Sequence, residues 1–344
     1  MLDGKTILVT GGSGSFGRKF TELVLDRCQP RKLIVFSRGE MAQLEMRTNF
    51  NQELYPCLRY FIGDVRDRER LYRAMDGVDI VFHAAALKQV PAAEYNPIEA
   101  IKTNVMGAAN VIEAAIDREV SKVIALSTDK AVNPINLYGA SKLCADKLFV
   151  AGNNYSGSHG TKFSIVRYGN VVGSRGSVVP LFMKLRESGV LPITDPRMTR
   201  FWITLEQAVD FALSCLNRMR GGEVFVPKIP SMRIIDLAQA MAPECELKII
   251  GIRPGEKLHE LLVPPDEGRR TIEFDDHFTI PPGYADWEGE EYVALRGGQL
   301  CPDDFRYSSD TNTDWLSGDR LAEMLRAPDV AAKQGGYGTS EGAG

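Results

Sequence analysis

The chain of 344 residues carries 41 Lys and Arg against 45 Asp and Glu, a net charge of −4, with 44% hydrophobic and 25% charged residues. That is the make-up of a globular protein with a sizeable core, about two domains' worth at ~150 residues each, and it excludes a disulfide miniprotein and a largely disordered chain. Near-balanced charge without a basic tract speaks against nucleic acid as a partner, and no stretch approaches the roughly 20 apolar residues that a membrane span needs.

The opening MLDGKTILVTGG has acidic and glycine residues where a signal peptide needs a basic and then an apolar run, so a cytoplasmic protein is expected. Apolar runs at 6–10 and 33–36 flank a helical stretch at 16–28, and a polar helix follows from about Met41. Further runs at 59–62, 79–83, 122–127 and 163–167 alternate with helical patterns near 66–75, 97–118 and 138–153. Nearly continuous apolar strands separated by helices predict an α/β fold, a doubly wound parallel sheet covered on both faces. After about Asn170 the pattern loosens, with helices expected at 180–188, 205–217, 234–242 and 256–262, and Pro/Asp/Gly-rich loops from Pro264 onward. The terminal GGYGTSEGAG has nothing to bury and is expected to be disordered.

The six cysteines (Cys28, Cys57, Cys144, Cys215, Cys245, Cys301) are scattered without CxxC spacing, which predicts buried free thiols. His259-Glu260 lacks a second histidine one turn on, and no metal site is expected.

The segment ILVTGGSGSFGRKF sets Gly11, Gly14 and Gly17 after a strand and at the mouth of a helix beginning with Ser15 and Phe16. There glycines allow a tight turn and a close approach to a pyrophosphate, with the helix N-terminus facing the phosphates. At the end of the second strand, where an NAD site usually carries an acid for the ribose 2′-hydroxyl, stand Ser37 and Arg38. A hydroxyl and a guanidinium suit a 2′-phosphate, so NADP is favoured, although Glu40 lies close in sequence. Asp64 and Val65 after the third strand are expected against the adenine, and Ala84 follows His83 where the nicotinamide half passes the fourth strand. The chain then divides into an NADP-binding domain at 1–170, a substrate-binding region at 171–280 partly interleaved with it, and a loop-rich extension at 281–344.

Tyr138 and Lys142, one helical turn apart, put a phenol and an ammonium on one face, and a nearby cation favours the phenolate needed for a base. YxxxK strings are common by chance. Eleven residues before Tyr138, however, Ser127-Thr128-Asp129-Lys130 ends the fifth strand, at the sheet edge where open α/β folds hold ligands.

These residues resemble the extended short-chain dehydrogenase/reductases that act on nucleotide sugars. The strings HAAALKQVPAAEYNPIEA, ALSTDKAVNPINLYGASK and IRPGEKLHE are similar to the inverting UDP-N-acetylglucosamine 4,6-dehydratases, the type that opens pseudaminic acid synthesis, from about residue 2 to 277. The resemblance implies a Rossmann domain with a smaller cap, a UDP-sugar substrate, NADP and a homo-oligomer. It implies oxidation at C4 with Tyr138 and Lys142, removal of the C5 proton, loss of the C6 hydroxyl and return of hydride to C6. Retaining relatives follow the threonine with Asp-Glu, whereas here Asp129-Lys130 stands, so Lys130 is the expected C5 base, provided local cations or desolvation lower its pKa. Lys88, Thr103, Asn170 and Val171 are expected to line the same pocket. Arg200 and Arg253 are candidates for the diphosphate, and Glu256 for the uridine ribose. The rival readings are a nucleotide-sugar 4-epimerase or reductase, against which Asp129-Lys130 argues, and a non-catalytic NADP-binding regulator, which has no use for Tyr138 and Lys142.

Overall fold

The computed structural model describes residues 1–174, 176–283 and 289–326, so the terminal segment expected to be disordered lies outside the described residues. The first half alternates strands β1 (Thr6–Thr10), β2 (Lys32–Ser37), β3 (Leu58–Ile62), β4 (Ile80–His83), β5 (Lys122–Thr128) and β6 (Lys162–Tyr168) with helices. The helices are α1 (Ser15–Arg27), α2 (Glu40–Asn49), α3 (Arg68–Ala74), α4 (Val90–Tyr95), α5 (Pro97–Ile101), α6 (Gly107–Asp117) and α7 (Leu137–Tyr155). Strands β1 to β6 pair in parallel in the order 3-2-1-4-5-6. β1 and β4 are buried along their whole length, as expected of strands covered by helices on both faces.

The second half adds β7 (Asn170–Val171), β8 (Val190–Ile193), β9 (Thr199–Ile203), β10 (Val224–Pro227), β11 (Ser231–Arg233), β12 (Glu246–Ile249), β13 (Leu261–Val263), β14 (Ile272–Glu273), β15 (His277–Ile280), β16 (Gln299–Leu300) and β17 (Tyr307–Ser308). β10 joins β6 in parallel, and β15, β14 and β16 continue the same sheet antiparallel to ten strands. The region expected to be loops from Pro264 therefore contributes three strands to this sheet, and a fourth, β17, that pairs with β13. Each is two to four residues long, too short to announce itself by periodicity. A second core, around Phe182, Leu191, Trp202, Leu237 and Leu321, holds the cap together.

Two expected helices differ. The stretch 97–118 is interrupted by a π-turn at Lys102–Met106, which turns Thr103 and Asn104 inward. The helix expected over 256–262 does not form. Leu258 O accepts from Thr199 N (3.0 Å), and Glu260 and Ser309 exchange Glu260 N to Ser309 Oγ and Ser309 N to Glu260 O bonds (both 2.9 Å). With its backbone groups committed to neighbours the segment bends at Leu258–His259 and leads into β13, which pairs with β17.

Candidate active site

Gly11, at φ +64°, makes the turn after β1, and a Cβ there would stand 2.8 Å from Ala85 N and 2.9 Å from Ala84 C. Gly14 is the N-cap of α1 and offers no side chain to its amides, so the first-turn N–H groups at Ser15 and Phe16 open onto the cleft. Gly17 stands back from the cleft wall and serves packing: a Cβ would lie 2.3 Å from Gly12 O.

Across the strand ends, Ser37 is buried and its hydroxyl accepts from Gln43 Nε2 (2.9 Å). Arg38 is half exposed, its Nη1 3.6 Å from Asp64 Oδ2. Asp64 also receives Arg66 Nε and Nη2 (2.9 and 2.7 Å). Burial raises its carboxyl, but the Arg66 and Arg38 contacts outweigh this and hold it below the usual carboxylate range. Val65 and Ala84 complete this wall of a cleft of about 560 Å³.

At the other end of the cleft, α7 is capped by Asn136, whose side chain accepts from Gly139 N (2.8 Å), and this cap aims Tyr138 and Lys142 inward. Burial pushes the Tyr138 phenol up to about 12, with the Lys130 ammonium and the Thr128 hydroxyl pulling the other way. The cation acting on this phenol is therefore Lys130. Lys142 donates to Leu126 O (2.8 Å), and burial pushes its ammonium down while Asp146, one turn further along α7, supports the charge. Asp146 in turn accepts from Ser127 Oγ (2.7 Å).

Thr128, at the end of β5, donates to Asp129 Oδ1 (3.0 Å), and Lys130 Nζ donates to the same oxygen (2.9 Å). Glu260 Oε1 stands 3.4 Å from Lys130 Nζ. Burial lowers the Lys130 ammonium, but Asp129 and Glu260 more than compensate and hold it well above the usual lysine value. The lowering expected from the sequence is thereby corrected: two carboxylates, rather than cations, dominate its surroundings. Thr128 and Lys130 line the cleft, while Asp129 is fully buried behind them.

A model of the family described as "Polysaccharide biosynthesis protein" matches residues 7–282. The chain belongs to this family. Among its relatives, a Campylobacter jejuni protein named UDP-N-acetylglucosamine 4,6-dehydratase (inverting) is 56% identical over 94% of this chain and 98% of its own. A Rickettsia conorii protein named UDP-glucose 4-epimerase is 44% identical, over 86% of this chain and 90% of its own. The crystal structure of Pen from Bacillus thuringiensis superimposes with a TM-score of 0.85 at 36% identity, covering 94% and 98% of the two chains. The resemblance read from the motifs and the expected α/β architecture are thus borne out.

In this family member Lys88, Thr103, Asn170 and Val171 reach the cleft wall. The Thr103 hydroxyl and Asn170 Oδ1 are buried there without a hydrogen-bond partner among the described residues, which suits groups that wait for a ligand. Burial and the like charge of Lys130 lower the Lys88 ammonium. Besides Gly17 and Asp129, three residues expected to meet the substrate stay off the wall. Arg200 is buried, its guanidinium donating to the carbonyls of Thr199, Lys257 and Leu258, so it is spoken for and does not meet a diphosphate. Arg253 and Glu256 sit on an exposed loop, 3.9 Å apart. Sequence reasoning missed Asp146, though its spacing four residues after Lys142 was available, and it missed Glu260, for which no spacing gave a signal. It also missed Asn104, which bonds both Leu87 N and Leu87 O and ties down the loop carrying Lys88. Among the described residues no cluster of three His, Cys, Asp or Glu side chains could hold a metal ion, and no helix is long and apolar enough to cross a membrane. Cys215, Cys245 and Cys301 are buried free thiols, whereas Cys28 and Cys57 are half-buried and Cys144 is exposed.

Proposed function

We propose that the protein dehydrates UDP-N-acetylglucosamine to a 4-keto-6-deoxy sugar nucleotide with inversion at C5, using NADP. The observation that carries this reading is the meeting, at one end of a dinucleotide-sized cleft, of Tyr138 and Lys142 with a second acid–base pair, Asp129 and Lys130. The glycine turn, the uncapped α1 terminus and the half-exposed Arg38 fit a dinucleotide with a 2′-phosphate. Once bound, NADP+ would supply the hydride acceptor for C4 and the donor for C6.

The residues themselves handle the protons. Tyr138 takes the proton of the C4 hydroxyl, and the Lys130 ammonium and the Thr128 hydroxyl favour its phenolate against the burial that disfavours it. The C4 ketone then acidifies the C5 hydrogen. Transfer of one proton within the Lys130–Asp129 ion pair gives an amine and a carboxylic acid at constant total charge. The amine removes the C5 proton, and the acid protonates the leaving C6 hydroxyl through Thr128, which lies on the cleft wall and already bonds Asp129. The sugar loses water and the ion pair is regenerated. Return of hydride to C6 leaves C5 to take a proton on the opposite face, and the proton that Tyr138 took from the C4 hydroxyl, exchanging with solvent, balances it, so the phenolate is restored and the balance closes.

Lys88, Thr103, Asn170 and Val171 are proposed to line the sugar side, and Arg253 and Glu256 to approach the UDP. The corresponding division is cofactor binding by 1–170, substrate binding by 171–280, and an extension over 281–344. Exposed Tyr95, Ile98 and Met106 around α4 and α5 support a homo-oligomer built on that helical face. Free cysteines support a reducing compartment, the cytoplasm, and the product would feed synthesis of the pseudaminic acid type.

The competing 4-epimerase reading has the Rickettsia relative in its favour. Reaction in D2O followed by NMR separates the two. A 4-keto-6-deoxy product carrying deuterium at an inverted C5 is expected; UDP-N-acetylgalactosamine would overturn the dehydratase, and retention at C5 would overturn the inverting mechanism.

A further inference from the structure

We propose that Glu260 is a positioning residue for Lys130: a second carboxylate, braced by Arg200, that holds the ammonium at the cleft floor and governs when it gives up its proton. This rests on Lys130 as the C5 base. Glu260 lies 130 residues from Lys130 in sequence, in the bent segment that leads into β13, and is buried. Its Oε1 stands 3.4 Å from Lys130 Nζ and 3.6 Å from Arg200 Nε. Its Oε2 is also buried and has no hydrogen-bond partner among the described residues, so the carboxylate depends on these two cations for its charge to be tolerated.

The segment that carries Glu260 is fixed from both sides. Arg200 Nη1 and Nη2 donate to Leu258 O and Lys257 O (3.0 Å each), and Lys257 Nζ donates to Val132 O (2.5 Å), next to the turn that bears Lys130. The hydroxyl of Ser309 accepts Glu260 N, and Thr199 bonds both Ser309 Oγ (2.7 Å) and His259 Nδ1 (2.9 Å). A chain held at this many points over four residues aims one carboxylate at one ammonium; an ordinary surface ion pair has no such scaffold.

The charges that face Lys130 are Asp129 from its own turn, Glu260 and Lys257 from the segment before β13, Arg200 from β9, Lys88 from the loop after β4, and the phenol of Tyr138 from α7. Glu260 is the carboxylate among these that does not neighbour Lys130 in sequence. Neutralising it leaves Arg200, Lys88 and Lys257 against Asp129 alone, and the ammonium must then lose its proton at lower pH.

The test reads Lys130 directly, without substrate. Lys130 keeps 26% of its side chain open to solvent, so an amine-reactive reagent with peptide mass spectrometry can follow its labelling against pH. In wild type the labelling midpoint should lie above the ordinary lysine value of ~10.4; a midpoint at or below that value overturns the proposal. Glu260→Gln should lower the midpoint by at least about one pH unit, and Glu260→Asp by less. If Glu260→Gln does not fold, Glu260→Asp and the wild-type midpoint still decide. An unchanged midpoint in a folded variant overturns the assignment. The second readout is a single turnover with UDP-N-acetylglucosamine, in which NADPH absorbance rises with C4 oxidation and decays after elimination. In Glu260→Gln the rise should match wild type, and the decay should fail at lower pH on the alkaline side by a similar shift. Absence of any transient in wild type would refute the proposed reaction while leaving the labelling result to judge Glu260.

Discussion

Gly139 is the place where a single added carbon tests the geometry of the site. In α7 it packs against the turn that carries Lys130, and a Cβ would fall 2.1 Å from Lys130 O and 3.0 Å from Pro134 Cβ. Ordinary contact needs about 3.4 Å, so Gly139→Ala must part the helix and the turn by about 1 Å, against backbone that has no rotamer to yield. Two effects compete for the sign of the stability change. Alanine gains about 1 kcal/mol over glycine in a helix interior, while overpacking costs about 1–3 kcal/mol, so a net loss of up to about 2 kcal/mol is expected. At this chain length that is a fall in Tm of a few degrees at most. Turnover has no compensating gain: Tyr138 rides on the helix and Lys130 on the turn, and a misplacement of about 1 Å costs on the order of 100-fold. Thermal unfolding together with kcat on UDP-N-acetylglucosamine measures both quantities. A variant with raised Tm and wild-type kcat would refute the view that this contact sets the distance between phenol and ammonium.

Arg38→Ala should weaken NADP binding by about 1.5–3 kcal/mol, the worth of one charge-assisted contact, and leave NAD binding nearly unchanged; calorimetry with both cofactors checks it, and equal losses would defeat the assignment. Tyr138→Phe should lower turnover by about 100-fold or more while cofactor still binds, whereas Lys130→Ala should form NADPH in a single turnover and then fail to eliminate water. Stopped-flow absorbance distinguishes the two patterns, and elimination at the normal rate in Lys130→Ala would remove that residue from the role of base.

The six N-terminal strands were legible because each is an apolar run, buried on both faces in all but the edge strand β3, and the glycine turn because its spacing is dictated by the close approach of Gly11 to Ala84 and Ala85. Tyr138, Lys142, Thr128 and Lys130 were legible because their spacing and their position at strand and helix ends are local. What escaped is non-local. Glu260 reaches Lys130 only because β9 and Ser309 hold an otherwise helix-like string out of a helix, and nothing in IRPGEKLHE reveals those partners. Arg200 read as a free cation for a diphosphate because a sequence does not tell which carbonyls will surround a guanidinium. The strands β14 to β16 were missed because two to four residues carry no measurable period, and edge pairing, not composition, makes them strands.

The relatives at 56% and 44% identity carry two reactions in their names, dehydration and 4-epimerisation. Both reactions begin by oxidising C4, so Tyr138 and Lys142, in the roles proposed for them, would suit either one. Elimination asks for more: a base for C5 and an acid for C6 in the same site, in opposite protonation states. A buried amine and a buried carboxylic acid prepared separately would each have to be held away from its favoured charge. An ion pair such as Lys130 with Asp129 at 2.9 Å reaches that state by moving one proton a short distance, with no change in total charge. Keeping Asp129 and Glu260 buried with Lys130 and Arg200 costs several kcal/mol of desolvation that the pairings only partly offset. A 4-epimerase, which needs only to turn its oxidised sugar and reduce it from the other face, draws no return from that cost. The reaction that uses both members of the pair does, and this is the physical reason to read the Asp129–Lys130–Glu260 cluster as the dehydratase part of a scaffold shared with epimerases.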